Sequence, residues 1–84
     1  MAGWMKPSDP VEIGKAYWDY NLQVSIVLGV MGTYDHGTVW YDTTGGMFDA
    51  TRLAVRNPYD GKPAVPSAET QAKADAYFAV KAQS

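Results

Sequence analysis

Asp35 and His36 are the only acid–imidazole neighbours in the chain, and the chemistry such a pair could do is general acid–base work. Adjacent residues on a helix or a strand point away from each other, so this spacing builds no oriented dyad. A lone histidine just past an apolar run reads as a capping or surface group. No serine sits in a nucleophile motif, and cysteine is absent. Asp35, Asp42 and Asp49 recur every seven residues, which would align three carboxylates on one continuous helix. Gly37 and Gly45-Gly46 interrupt that helix, and no calcium loop of the D-x-[DN]-x-[DN]-G type is present. Thr43-Thr44-Gly45-Gly46 lacks the lysine and the spacing of a phosphate-binding loop and reads as a turn. The expectation is therefore no catalytic, cofactor-binding or metal-binding residue, and no enzyme.

Composition narrows the remaining classes. Eighty-four residues make one small unit whose core is marginal without outside help. With no Cys and a single His, neither disulfides nor a thiolate or His-rich zinc site can staple it. Seven basic and nine acidic residues are spread along the chain, with no Lys/Arg run to neutralise phosphates, so nucleic acid is excluded as a partner. The N-terminus has no apolar stretch of the secretory type.

The elements that would position these residues read as mainly α. Residues 1–8 form an arm. Asp9 then suits an N-cap, Pro10 the first helical position and Glu12 the third, a reciprocal capping pattern. From Ile13 the apolar residues Tyr17, Tyr20, Val24, Val27, Leu28 and Met31 fall at steps of mostly three and four. This predicts one long apolar helix over 10–34, weakened near its end by Gly29 and Gly32. The β-branched run VSIVLGV argues the other way, for strand. Residues 35–56 read as turns and a short helix, residues 57–67 (NPYDGKPAVPS) as a Pro-rich extended strap, and 68–82 as an Ala-rich helix capped by Ser67.

Fifteen uncharged residues separate Asp19 from Asp35, about 22 Å of helix at 1.5 Å per residue. That is short for a membrane span of about 20 residues and suits a buried helix or an interfacial segment. Tyr and Trp at both ends of the run favour the bilayer reading, with lipid around residues 17–41. Sequence leaves both open.

Large aromatics dominate interface energetics, and three Trp, six Tyr and two Phe are many for one small core to hide. The expected partner-binding residues are Trp4, Trp18, Tyr20, Tyr34, Trp40 and Phe48, with Pro58, Tyr59, Pro63 and Pro66 of the strap laid over a neighbouring protein as a stiff clip.

Ile13-Gly-Lys-Ala-Tyr-Trp18, then Val30-Met-Gly-Thr-Tyr34 and Asp35, resemble a subunit type of NADH dehydrogenase. More broadly, the order of features is similar to that of the single-span accessory subunits of mitochondrial respiratory complexes. The likeness covers about 25 of the 84 residues with gaps, and the stretch from Trp40 to Phe48 and the C-terminal helix have no counterpart. It implies a non-catalytic accessory subunit, held among other protein subunits in a membrane such as the mitochondrial inner membrane. The alternatives are a small capsid or tail protein of a virion, or a free-standing binding module, either of them soluble.

Overall fold

The computed structural model describes residues 3–83; Met1 and Ala2 of the expected arm lie outside them, as does Ser84. The fold is mainly β, not mainly α. Five antiparallel strands, β1 (Ala16–Asp19), β2 (Val24–Tyr34), β3 (Gly37–Asp42), β4 (Met47–Asp49) and β5 (Leu53–Ala54), are followed by one helix, α1 (Ala68–Ala82). Their order across the sheet is β4-β3-β2-β1-β5, so β2 lies at the centre and the last strand returns to pair with the first.

The long helix expected over 10–34 is a turn, a strand, a hairpin turn and a second strand. Its start signal is spent elsewhere. The Asp9 carboxylate accepts from the Lys6 amide at 2.8 Å, closing a backward turn over Lys6–Asp9 instead of capping forward. Gly14, at φ 90°, turns the chain into β1. Asp19 then closes the β1–β2 hairpin: its carboxylate Oδ1 accepts from the amides of Asn21 (2.8 Å) and Gln23 (3.1 Å). Leu22 adopts the left-handed conformation at φ 61° that the turn requires. Among the described residues no helix is long and apolar enough to cross a membrane, which corrects the transmembrane expectation for this segment. The short helix expected within 35–56 is likewise β4, a single 3-10 turn over Ala50–Arg52, and β5.

Pairing fixes which side chains share a face. Tyr17 lies opposite Ser25, Asp19 opposite Leu53, Val27 opposite Asp42, and Trp40 opposite Phe48. Alternation therefore gathers Tyr17, Asp19, Ser25, Val27, Asp42, Trp40, Phe48 and Leu53 on one face. Tyr17, Val27 and Leu53 are fully buried there, with Met5 and Val11 of the N-terminal arm folded over them and Trp40 and Phe48 at the side. The opposite face carries Ile26, Ala54 and Tyr41 and is covered by α1, whose Ala74 is buried. The Tyr77 hydroxyl on α1 hydrogen-bonds the Tyr41 hydroxyl, with the two rings edge-on at 6.1 Å. Lys73 Nζ donates to the Thr43 carbonyl at 3.4 Å. The sheet is thus covered by an arm on one face and a helix on the other.

Two bulges, at Leu28 and Met31, interrupt the pairing of β2 with β3 and bend the long strand. Gly29 sits at the first of them because a Cβ there would lie 2.5 Å from the Tyr41 hydroxyl. Replacing Gly29 by Ala displaces that hydroxyl and breaks its bond to Tyr77. The expected loss is about 1 kcal/mol of unfolding free energy in urea titration, together with faster hydrogen exchange along α1.

Candidate interaction surface

A sheet stabilises itself where each strand has a neighbour on both sides, and β2 does not have two along its whole length. It runs eleven residues, whereas β1 has four and pairs only with Val24, Ser25 and Ile26. Bonds from Gly14 to the Val27 carbonyl (2.8 Å) and from the Val27 amide to the Lys15 carbonyl (3.1 Å) extend that pairing by one residue. From Leu28 to Tyr34 the strand is bonded to β3 alone, and no other described backbone group reaches its second edge.

This open stretch, LGVMGTY, carries no charge and no proline, the two usual guards of an exposed strand edge. Its guard is the pair of bulges. Beyond half-buried Leu28 and buried Gly29 its larger side chains are uncovered: Val30 and Met31 are each 48% exposed and Tyr34 51%. Tyr34 stacks on His36 across the hairpin tip, centroids 5.5 Å apart and planes 12° off parallel. The other edges are better protected. On β5, the Leu53 carbonyl takes the Met5 amide at 2.8 Å. β4 is three residues long and ends on the acidic Asp49.

The residues expected to meet partners fall into three groups. Trp40 and Phe48 pack half-buried against the chain's own core. Trp18, half-buried on the opposite face, donates its indole N–H to the Lys62 carbonyl at 3.0 Å and so ties the strap to β1. These three rings are engaged internally. Trp4 and Tyr20 meet at 5.1 Å, and the Arg52 guanidinium lies over the Tyr20 ring at 5.6 Å. Beside Trp4 a groove of about 420 Å3 is lined by Met5, Lys6, Asp9, Val55 and Arg56. Tyr34 belongs to the open hairpin.

The strap has local structure of its own. Asn57 is buried, and its side chain accepts from the amides of Tyr59 (2.8 Å) and Asp60 (3.3 Å). Tyr59 projects, 73% exposed; Pro58 and Pro66 are half-buried, and exposed Pro63 bridges to Arg56.

The carboxylates that sequence spacing could have aligned are dispersed. Asp35 is exposed at the hairpin tip. Asp42 is buried and closes the β3–β4 turn, accepting from the Thr44 amide (2.8 Å) and hydroxyl (2.5 Å), while its other oxygen accepts from Ser25 Oγ at 3.1 Å. Asp49 accepts from Thr51 Oγ1 at 2.5 Å and lies 3.8 Å from Arg52. Among the described residues no three His, Asp or Glu side chains converge to hold a metal.

Asp19 is the residue that sequence reading missed. It is fully buried, and its Oδ2 has no hydrogen-bond partner among the described residues. Burial raises its pKa, the amides of Gln23 and Asn21 pull it back, and the nearby Asp42 carboxylate pushes it up again; the net direction is upward. Its signal in the sequence is an Asp two residues before Asn21 and four before Gln23, an Asx-type turn at a strand end. The Tyr41 hydroxyl is also shifted upward, first by its hydrogen bond to Tyr77 and then by burial.

No family model matches the chain, and no match is found among curated proteins or solved structures. The geometry alone carries the functional reading.

Proposed function

We propose that this chain is a small non-catalytic interaction module that works as a component of a larger protein assembly. The observation that carries the reading is the uncharged, singly bonded edge of β2 from Leu28 to Tyr34, with Val30, Met31 and Tyr34 beside it. Such an edge presents a row of backbone donors and acceptors to an incoming strand, whose pairing supplies affinity while adjoining side chains supply selectivity. Two further features support the reading. The accessible surface is 5359 Å2, more than the about 4,900 Å2 expected of a compact 9.2 kDa monomer. The body is flat, 40 × 33 × 17 Å, which favours lateral packing.

The reading assigns no reaction: Asp35 and His36 stand at an exposed tip, and the buried acids Asp19 and Asp42 close turns. The test is hydrogen exchange on the chain alone and within the assembly recovered with it from its source cells. Within residues 28–34, the amides that are not bonded to β3 should exchange fast in isolation and slow down in the assembly. Equal exchange in both states overturns the reading.

A further inference from the structure

We infer that the strand seated on the β2 edge is the same edge of a second copy of this chain, joined antiparallel across a two-fold axis. The inference rests on the proposed interaction role and names its partner. An edge paired with its own copy through a two-fold is antiparallel by construction, and the hydrogen-bonding pattern of one edge then complements the other. A neutral segment pays no charge repulsion for meeting itself.

The charges at its two ends select the arrangement. At the Val27 end, Gly14 and Lys15 lie on this same side of β2, bonded to Val27, and Lys15 Nζ is 3.4 Å from Glu12. Past the Tyr34 end come Asp35 and His36. Antiparallel self-pairing brings Asp35 and His36 of one copy to the Lys15 and Glu12 of the other, twice. Asp35 of each copy then comes to the Lys15 end of the other, whereas a parallel arrangement would set Asp35 against Asp35. Ile13, exposed at the Lys15 end, offers apolar surface to the arriving Tyr34. The bulges at Leu28 and Met31 bend β2, and a second copy presents an edge that carries the same two bulges.

The experiment is sedimentation equilibrium on the full chain over a wide concentration range. Wild type is expected to dimerise reversibly. Met31→Lys places a charge at the middle of the edge, twice over in the dimer, and should weaken dimerisation at least about tenfold. Met31 is half exposed, so the thermal unfolding of the dilute monomer should stay unchanged. Asp35→Lys should also weaken the dimer, and adding Lys15→Asp should restore it, an outcome that no loss of folding can imitate. A wild type that stays monomeric, a dimer indifferent to Met31→Lys, or a charge exchange that fails to restore overturns the inference. A monomeric wild type whose 28–34 amides are still protected in its native assembly overturns the second copy alone. Unprotected amides there overturn the interaction role as well.

Discussion

Tyr17→Ala is expected to abolish cooperative folding. Tyr17 is fully buried at the centre of the arm-side face, against Val27 and Leu53, with Met5 and Val11 above. Truncating a buried aromatic ring costs about 3–5 kcal/mol, the lost transfer energy plus the cavity left behind. Domains have about 5–15 kcal/mol in total, and one with so few fully buried large side chains sits at the low end of that range. Tyr17 also ties the arm down, because its hydroxyl accepts the Glu12 amide at 3.0 Å. Two variants separate these roles. Tyr17→Phe keeps the ring, loses the hydrogen bond, and should cost about 0.5–1.5 kcal/mol, with exchange accelerated mainly at the Glu12 amide. In Tyr17→Ala, near-ultraviolet circular dichroism should lose its fine structure and urea should give no sigmoidal transition. A Tyr17→Ala chain melting within a few degrees of wild type would show that the arm-side face is not the core.

Why such a chain reads as helical follows from the same two-sided burial. A strand with one solvated face alternates apolar and polar residues, but β2 is covered on both faces around Ile26 and Val27, and its open part beyond Leu28 is apolar too, so it reads as a continuous apolar run. The bulges then distort its period. Val27, Val30 and Thr33 pair with Asp42, Trp40 and Thr38 on one face, each three residues from the next because Leu28 and Met31 are extra. A step of three on one strand face imitates a helical step. The capping pattern at Asp9, Pro10 and Glu12 also reads as a helix start, although the Asp9 carboxylate is committed to Lys6.

Other stretches were legible because their signals are local. Ser67 accepts from the Thr70 amide at 3.1 Å, and the helix Ala68–Ala82 has no β-branched residue beyond its first turn until Val80. The prolines and Asn57 keep 57–67 out of helix and sheet ladder, whatever surrounds them. The fate of the aromatic rings could not be read this way. Trp18, Trp40 and Phe48 are spoken for by contacts to residues 8 to 44 positions away, which depend on strand pairing that no local pattern specifies. The open edge was hidden for the same reason, since an edge exists only relative to the shorter neighbour that fails to cover it.

Asp19→Asn should make the protein more stable at neutral pH, by about 1–3 kcal/mol, the usual cost of a buried polar atom left without a partner. Wild-type Asp19 keeps Oδ1 on the Asn21 and Gln23 amides, while Oδ2 is buried with no partner among the described residues. Its pKa is raised from 3.8, chiefly by burial and further by Asp42, against the pull of the two amides. The folded chain therefore holds this proton more tightly than the unfolded chain does. Asp19's contribution is fully present below its unfolded value of 3.8 and is lost as pH rises through the raised folded value, after which it is level. Asparagine keeps an acceptor for the two amides and carries no charge that burial would penalise. Paired with wild type in urea titrations from about pH 3 to about pH 8, the variant should show no gain at the acid end and a growing gain above it. The difference between the two curves isolates Asp19 from carboxylates whose influence runs the opposite way. A constant difference at every pH would mean that Asp19 stays ionised in the fold at no cost, and that its unpaired oxygen is solvated after all.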